Sequence, residues 1–407
     1  MRVLMITPGT RGDVAPMAGL AAKLGTHGFE VSIAANMEYA PLVTRAGATF
    51  HELPGSMNEL VNPTAPGQKA GAKKLRWYMR ELQAYFESAA TGTLRAAEQG
   101  AEVIMANSVA PFAYDVAEAL QIPVIGAHLQ PTEPSGAYAP MVLGTARNFG
   151  AVGNKLLGSL IGASKAPYDP PVNRLRSELS LPPRSRTASE RQRRSKDAPI
   201  LHGFSPLLVP RPKDWRPAMS TCGYWWPQHD SDWTAPTELL DFLADGPPPV
   251  YLGFGSTAAM DADFMHEVAT RSDRRFILQG APGINEPNIL GIGGTDHQWL
   301  FPQMAAVIHH AGAGTTASGL RAGVPTISVP IFTDQPFWAA RVHALGAGVE
   351  PIKYKELSVE RLLAAIDETL ATDKYAVRAA HLAKQLEAEE DSSLPVIRAL
   401  HQLTTAR

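Results

Sequence analysis

Short apolar stretches alternate with helix-like stretches in the first third of the chain. Residues 3–7 are mostly apolar, residues 15–24 carry apolar side chains at helical spacing, and residues 29–34 have strand-like alternation. The same order returns as a strand over residues 102–106, a helix over 112–120 and a strand over 123–127. Strands and helices in alternation predict a parallel sheet with helices on both faces, and such sheets bind ligands at the carboxyl ends of their strands.

The pattern is interrupted and then resumes in the second half of the chain. Residues 208–217 include three prolines, which favour a stiff, extended segment. After this segment, strands are predicted over 249–254, 275–279, 305–309 and 326–330, and helices after Gly312 and over 335–345. We therefore predict an α/β protein with two Rossmann-like parallel-sheet domains, residues 1–207 and 222–386, joined by a linker at 208–221.

Composition narrows the kinds of partner. The 407 residues are 45% hydrophobic and 19% charged, with a formal net charge of −2, which suits a globular protein and gives no sign of nucleic-acid binding. The single cysteine, Cys222, excludes an internal disulfide and fits a reducing compartment, so a cytoplasmic location is expected. The apolar start is too short for a signal peptide, and no run approaches the roughly 20 apolar residues of a membrane span, so no integral membrane segment is expected.

A basic stretch lies between residues 184 and 196. It holds six arginine and lysine residues, with Glu190 among them and Asp197 directly after them. Contact with phosphate groups or a membrane is one interpretation. The interleaved acids favour the other, which is a solvated loop and helix face.

The first candidate site is the turn Pro8-Gly9-Thr10-Arg11-Gly12-Asp13, between a predicted strand and a predicted helix. Its glycines allow a ligand to approach the backbone closely, and the helix start offers free N–H groups. Asp13 follows the carboxyl end of the strand, where a carboxylate can accept a proton from a hydroxyl group. The alternative is helix capping, which is a frequent role of aspartate at such a position.

The second candidate site is the segment 309–316, again at a strand-to-helix turn. It holds two histidines, two glycines and two threonines, and these groups can donate hydrogen bonds to a diphosphate at the start of the helix: His309, His310, Gly312, Gly314, Thr315 and Thr316. The alternative is a glycine-rich turn with a structural histidine. A zinc site is disfavoured, because adjacent histidines on a strand point to opposite faces.

Weaker signals lie elsewhere in the second half. Ser256 follows the first predicted strand of the second domain and is placed to contact the same phosphates. Asp334 and Gln335 follow another strand end, where they can bind sugar hydroxyls or, for Asp334, cap a helix. The two Asp-x-Asp sequences, at 230–232 and 261–263, are interpreted as loop acids and not as a metal site.

The order of these segments along the chain is more specific than any one of them. The chain resembles the two-domain GT-B glycosyltransferases of the family that includes antibiotic and sterol glycosyltransferases. The matching segments are 9–13, 209–215, 223–225, 253–256, 296–303, 309–316 and 334–338. The resemblance spans almost the whole chain, except for residues 130–197, and it implies that residues from about 387 return to the first domain as a helix.

The resemblance also implies roles for single residues. Asp13 matches the family's catalytic base. Residues that match the diphosphate site are Arg11, Ser256, His309, His310, Gly312, Gly314 and Thr315. Asp334 and Gln335 match the pair that holds the donor sugar. Residues 300–303 match the region against which the nucleotide base packs, and because Leu300 replaces a tryptophan of plant members, Trp299, Phe301 and Gln303 are included.

These roles imply a transfer between two substrates across a cleft. The expected enzyme is an inverting glycosyltransferase that moves a sugar from dTDP or UDP to a hydroxyl of a small or lipid-like acceptor, without a metal or other cofactor. The alternatives are a nucleotide-sugar epimerase or hydrolase of the same fold, or a non-catalytic nucleotide-sugar-binding auxiliary protein. The sequence leaves open the acceptor, whether it lies on a membrane, the sugar, the nucleotide and the oligomeric state.

Overall fold

A computed structural model describes residues 1–61, 72–228, 233–255 and 260–405. The strands are β1 (Arg2–Ile6), β2 (Glu30–Ala35), β3 (Thr49–Glu52), β4 (Val103–Ala106), β5 (Val124–His128), β6 (Ile200–His202), β7 (Met219–Thr221), β8 (Val250–Gly253), β9 (Phe276–Gln279), β10 (Asn285–Glu286), β11 (Ile289–Ile292), β12 (Ala306–His309) and β13 (Thr326–Ser328). They form two sheets, in the order β3-β2-β1-β4-β5-β6-β7 and the order β10-β11-β9-β8-β12-β13. All neighbours pair in parallel except β10, which pairs antiparallel with β11 at the edge of the second sheet.

Helices cover both sheets. They are α1 (Arg11–Thr26), α2 (Ala40–Arg45), α3 (Met57–Val61), α4 (Ala72–Glu98), α5 (Ala113–Leu120), α6 (Gly150–Ala163), α7 (Asp169–Glu178), α8 (Arg186–Ser195), α9 (Thr237–Ala244), α10 (Ala262–Thr270), α11 (His297–Leu300), α12 (Ala313–Ala322), α13 (Gln335–Ala344), α14 (Val359–Leu370), α15 (Lys374–Glu387) and α16 (Leu394–Thr405). The predicted parallel-sheet fold class is confirmed. No helix within the described ranges is long and apolar enough to cross a membrane.

Strand β1 shows why these strands are continuous apolar runs in the sequence. Successive side chains of a strand point to opposite faces, and both faces of this sheet are covered. Val3 and Met5 therefore pack in one core, together with α1, while Leu4 and Ile6 pack in the other, together with α4 and α5. Four apolar residues in a row are needed to fill both cores.

The strand order reverses once in each sheet, and this positions the candidate site. The reversal lies between β1 and β4 in the first sheet and between β8 and β12 in the second. Connections that diverge to opposite faces leave a crevice at the carboxyl ends of the two strands, where open sheets of this kind bind ligands. Asp13 and Asn107 follow β1 and β4, and Gly255 and His310 follow β8 and β12.

An apolar core joins the two halves of the molecule. The Phe204 ring lies 6.0 Å from Trp338, and the Tyr138 ring lies 5.5 Å from Phe337, measured between centroids. Arg341 Nε donates to the Leu208 carbonyl oxygen at 2.6 Å. At the end of the chain, α16 packs in the same core as β1 and α1.

The segment predicted as an extended linker is folded against the first sheet. Its last residues form β7, which pairs with β6. The Arg211 guanidinium donates to the carbonyl oxygens of Trp215, Arg216 and Met219, and so bends the chain back on itself. The Trp215 ring stacks on His202 at 4.2 Å. The prolines in the sequence did not indicate these contacts. The chain passes from the first sheet to the second only after Thr221, the last residue of β7.

Candidate active site

Asp13 is held in the first turn of α1. Its Oδ2 accepts a hydrogen bond from the Thr10 backbone N–H at 2.9 Å and from Thr10 Oγ1 at 3.3 Å. A Cβ on Gly9 would lie 2.4 Å from this oxygen, so only glycine fits there. The capping alternative is therefore correct for one carboxylate oxygen. Because the cap does not use the second oxygen, capping and proton transfer are compatible roles for Asp13.

The surroundings of Asp13 hold its pKa near neutrality. Burial raises the pKa of Asp13 to about 6, although part of its surface is open to the cleft. Hydrogen bonds from Thr10 and Asn107 oppose this rise, and the negative charge of Asp334 adds to it. A carboxyl with a pKa near 6 is ionised at neutral pH and still takes up a proton readily, as a general base must. The influence of Asp334 also shows that the two halves of the molecule meet at Asp13.

Further polar residues surround Asp13, and three of them, Asn36, Tyr39 and Asn107, were not assigned to the site from the sequence. Asn107 follows β4, and its amide donates to Thr7 Oγ1 at 3.4 Å. The Asn36 amide oxygen accepts from Tyr85 OH at 2.9 Å. The charge of Asp13 helps to raise the pKa values of Tyr39 and Tyr85, so both phenols lie near it. In the sequence, the available signal for these residues was their position. Asn107 comes directly after β4, Asn36 and Tyr39 follow β2, and Tyr85 lies on the facing helix α4.

The two histidines at the end of β12 have different environments. His309 is fully buried, and its Nδ1 accepts from the Ala311 backbone N–H at 2.9 Å, while its Nε2 has no hydrogen-bond partner among the described residues. The ring of His310 lies between two glycines: a Cβ on Gly312 would be 2.5 Å from His310 Nε2, and one on Gly255 would be 2.9 Å from its Cε1. Burial lowers the pKa of His310 to about 4, so the imidazole is neutral at pH 7.

The neutral imidazole of His310 stands at an open helix start. Within the part of the chain that the structure describes, its Nδ1 is buried and has no hydrogen-bond partner. Gly312 is the N-cap of α12 and has no side chain to accept the first N–H groups of the helix. Thr316 in the first turn is buried with an unpartnered hydroxyl, whereas Gly314 is exposed and Thr315 partly so. These groups form a cluster of unused donors, and an anion is the partner that such a cluster binds.

Asp334 and Gln335 lie at the start of α13, close to the first sheet. Asp334 Oδ2 accepts from Trp338 Nε1 at 2.7 Å, and its Oδ1 accepts from Thr333 Oγ1 at 3.1 Å. The Gln335 amide oxygen accepts from the backbone N–H groups of Ile331 and Phe332 at 2.8 and 3.2 Å. These two hydrogen bonds fix the Gln335 amide, so that its NH₂ group points away from the backbone of Ile331 and Phe332.

The residues predicted to pack against the base divide into two groups. Leu300 and Phe301 are fully buried in the core beneath β8 and expose no surface to a ligand. Trp299 is partly exposed and its ring lies 5.2 Å from Trp233. The Gln303 amide donates to the Trp299 carbonyl oxygen at 3.1 Å. If residues 299–303 contact a base directly, Trp299 and Gln303 are the side chains able to do so.

The charge of Arg11, in the first half of the molecule, reaches His297 in the second half near this region. His297 is half-buried and stacks on Phe301, with ring centroids 4.4 Å apart, and it shares hydrogen bonds with Tyr251 and Gln279. Burial lowers the pKa of His297 to about 4, and the positive charge of Arg11 contributes to this. The exposed guanidinium of Arg11 therefore lies toward the second sheet, where a diphosphate would attract it.

Two remaining predictions concern Ser256 and the Asp-x-Asp sequences. Ser256 and residues 230–232 lie outside the described residues. Asp261 is the N-cap of α10, and its side chain accepts from the Asp263 backbone N–H at 3.0 Å. Among the described residues, no group of three His, Cys, Asp or Glu side chains is arranged to hold a metal ion.

Comparison with known proteins identifies relatives of both halves. Residues 3–138 match the glycosyltransferase family 28 N-terminal domain, and residues 287–402 match the erythromycin biosynthesis protein CIII-like C-terminal domain. An O-mycaminosyltylonolide 6-deoxyallosyltransferase of Streptomyces fradiae is 32% identical over 96% of this chain and 94% of its own. A sterol 3-beta-glucosyltransferase of Arabidopsis thaliana is also 32% identical over 96% of this chain, which spans 64% of the plant protein.

Solved structures share the fold. The glycotransferase of kitacinnamycin superposes with a TM-score of 0.70 at 19% identity, over 98% of both chains. The glycosyltransferase VinC, solved in complex with dTDP, superposes with a TM-score of 0.68 at 20% identity, over 98% of this chain and 99% of its own.

Proposed function

The chain belongs to the two-domain (GT-B) glycosyltransferase family that includes antibiotic and sterol glycosyltransferases, and on this basis we propose a specific reaction for it. It transfers a sugar from a nucleoside diphosphate to a hydroxyl group of a small natural product or lipid-like acceptor. The transfer inverts the anomeric configuration and requires no metal ion. The observation that carries this proposal is the pairing, across one cleft, of a carboxyl with a pKa near 6 and a helix start with unused donors.

The donor diphosphate binds at the start of α12. Its oxygens accept hydrogen bonds from the free N–H groups of Gly312, Ala313 and Gly314, and the dipole of the helix favours their negative charge. The imidazole of His310 adds a neutral donor in a buried position, where a hydrogen bond to an anion is strong. Thr315 and Arg11 are placed to add further donors from the two sides of the cleft.

Asp13 is the base of the transfer step. The acceptor hydroxyl gives its proton to the second carboxylate oxygen of Asp13, the one that the cap does not use, and the hydroxyl oxygen forms a bond to the anomeric carbon. The bond between that carbon and the diphosphate oxygen breaks at the same time, and its electron pair leaves with the diphosphate. Attack from the side of Asp13, opposite the α12 site, accounts for the inversion.

Metal independence follows from the positive character of this site. A leaving diphosphate needs its growing negative charge balanced, and fixed N–H donors together with the Arg11 guanidinium supply this without a metal ion. Asp334 and Gln335 are assigned to the donor sugar, whose hydroxyls are ligands suited to the Gln335 NH₂ group and the Asp334 carboxylate. The polar groups around Asp13, namely Asn36, Tyr39, Tyr85 and Asn107, line the acceptor side.

The proposal is tested by supplying dTDP-sugars and UDP-sugars with a macrolide or a sterol acceptor, in the presence of EDTA. The names of the two relatives described above motivate these acceptor classes. A glycoside whose anomeric configuration, determined by NMR, is opposite to that of the donor is the expected product. Retention of configuration, or a reaction restored only by Mg²⁺, would contradict the mechanism. Sugar epimerisation or release without any acceptor would support the alternative enzyme classes.

A further inference from the structure

Helix α6 presents an unusual surface to solvent. Large apolar side chains are exposed on it and on the turn before it: Val142, Leu143, Phe149, Val152, Leu156 and Leu160, called the α6 face below. Val152 is 82% exposed, Leu156 58% and Leu160 59%. Residues four apart share one side of a helix, so these three form a continuous stripe, about 12 Å long at 1.5 Å per residue.

The opposite side of α6 explains why the stripe faces outward. The helix packs on the rest of the domain through Asn154 and Gly158, which are buried, while larger residues occupy the outer side. Asn154 Nδ2 donates to the Gly136 carbonyl oxygen at 3.0 Å, and a Cβ on Gly158 would lie 2.9 Å from the Pro134 side chain. These contacts fix the orientation of the helix, so the α6 face cannot turn inward without losing them.

Among the described residues, none buries the α6 face. A contiguous exposed apolar patch of this kind marks an interaction surface.

The charges around the α6 face indicate an anionic occupant. Residues 134–168 contain three basic residues, Arg147, Lys155 and Lys165, and no acidic residue. Helix α8 packs against α6 and belongs to the basic stretch 184–196. Its Arg191 and the following Lys196 are exposed. Acids balance part of this charge, since Asp214 pairs with Lys155 at 3.1 Å and Glu133 with Arg194 at 3.6 Å, and the Glu190 carboxylate lies beside Gly162 of α6. The cations left for a ligand are therefore Arg147, Lys165, Arg191 and Lys196.

The α6 face also leads to the cleft. Its first residues, Val142 and Leu143, are followed by Gly144, and a Cβ on Gly144 would lie 3.7 Å from the Thr333 backbone nitrogen. Thr333 precedes Asp334, whose charge reaches Asp13. The first residues of the α6 face therefore lie close to the rim of the active-site cleft.

We propose that the α6 face and its basic surroundings seat the protein on an anionic membrane surface. The apolar side chains enter the boundary between headgroups and acyl chains, and the lysines and arginines bind the headgroup phosphates. Resting on the function proposed above, the acceptor is then an amphiphilic molecule held in that membrane, and its hydroxyl enters the cleft beside Gly144. The basic stretch, which the sequence suggested was only a solvated face, becomes part of the contact.

Vesicle flotation with the purified full chain tests the proposal. Vesicles of phosphatidylcholine mixed with phosphatidylglycerol should carry the protein, pure phosphatidylcholine vesicles should carry much less, and high salt should weaken the binding. The double variant Leu156→Gln/Leu160→Gln should bind about tenfold more weakly or worse, since both side chains enter the bilayer. Glutamine is a good helix former, so α6 is preserved.

A matched control separates this effect from a general loss of apolar surface. Leu240 and Val377 are 47% and 66% exposed on α9 and α15 of the second half. The variant Leu240→Gln/Val377→Gln should bind vesicles as well as the unmodified protein. Equal loss in both variants, or no vesicle binding by the unmodified protein, would overturn the proposal. So would light scattering that shows a dimer which only the α6 variant dissociates.

Nucleotide binding distinguishes this proposal from the proposed function. Calorimetry should show unchanged dTDP or UDP binding in both double variants, because neither touches the cleft. Vesicle binding in a protein that binds no nucleotide would refute the glycosyl-transfer site and, with it, the acceptor part of the inference, while the membrane contact itself would stand.

Discussion

The turn after β1 and the turn after β12 have the same topology and opposite chemistry. Each lies at the reversal of strand order in its sheet, and each leads into a helix that starts at the cleft. In the first turn, the carboxylate of Asp13 accepts a hydrogen bond from the backbone N–H of Thr10, so a side chain of α1 itself caps the start of that helix. In the second turn, Gly312 provides no cap, and the start of α12 remains open to an external anion.

Burial acts on the two turns in opposite directions. It raises the pKa of Asp13 to about 6 and lowers the pKa of His310 to about 4. Both shifts disfavour the charged form of the side chain, as burial must. The result is a carboxylate that changes protonation close to neutral pH and an imidazole that remains a neutral donor. The same strand-to-helix turn therefore gives a proton acceptor on one side of the cleft and an anion site on the other.

The largest expected effect of a single substitution is at the closed turn. Asp13→Asn should reduce kcat by about 10³-fold, because an amide cannot take up the proton of the acceptor hydroxyl. The carbonyl oxygen of the new amide can still accept the Thr10 N–H, so the thermal unfolding temperature should hold. Calorimetry should show dTDP or UDP binding close to that of the unmodified protein. A variant that keeps its turnover would remove Asp13 from the role of base.

The next effect belongs to the open turn. In Gly312→Ala, the new Cβ would lie 2.5 Å from His310 Nε2 and displace the imidazole. Losing a hydrogen bond to a charged group should weaken nucleotide binding about ten- to a hundredfold. Gly25→Ala in α1, where a Cβ meets nothing within 4 Å, is the matched control and should bind normally. Equal affinity of the two variants would place the diphosphate elsewhere.

The pH dependence of kcat/KM sharpens the contrast between the turns. Activity requires ionised Asp13, so it should be present above about pH 6 and lost as the pH falls through that value. Asn107→Ala removes a hydrogen bond that lowers the pKa of Asp13, and should move the acid limb to higher pH. Asp334→Asn removes a charge that raises the pKa, and should move the limb to lower pH. Shifts of the same sign in both variants would contradict this assignment.

The smallest effect tests a residue outside the cleft. Asp261→Ala removes the N-cap of α10 and should lower the free energy of unfolding by about 1 kcal/mol. Chemical denaturation measures this change. Transfer activity should be the same as in the unmodified protein, with or without EDTA. A specific loss of Mg²⁺-stimulated activity would instead identify the 261–263 sequence as a metal ligand.

The sequence predicts the elements that depend on neighbouring residues better than those that depend on contacts between distant parts of the chain. The main strand–helix alternation was predicted correctly, since its signals are local apolar patterns. The start of α1 at Arg11, before the predicted residue 15, reflects the reach of Asp13 back to Thr10. Strand β7 was missed, because its pairing depends on β6 and on contacts of Arg211 rather than on its own three residues.

The site was predictable where one segment carries it and obscure where several meet. Asp13 and His310 lie in recognisable turns, and the chain order gave them roles. Asn107 and Tyr39 reach Asp13 from other strand ends, and their positions soon after a strand were too weak a signal to assign them to the site. Leu300 and Phe301 match a binding region by position, yet the core beneath β8 takes up their side chains. The spacing of residues along the chain does not record which face of a short helix is buried.

Calorimetric titration of UDP and dTDP into the purified protein with EDTA, repeated with Gly312→Ala, tests the central claim most directly. The account predicts that at least one nucleotide binds the unmodified protein without metal and that Gly312→Ala loses most of this affinity. Absence of binding with EDTA, or binding that the substitution leaves unchanged, would contradict the assignment of the donor diphosphate to the open start of α12.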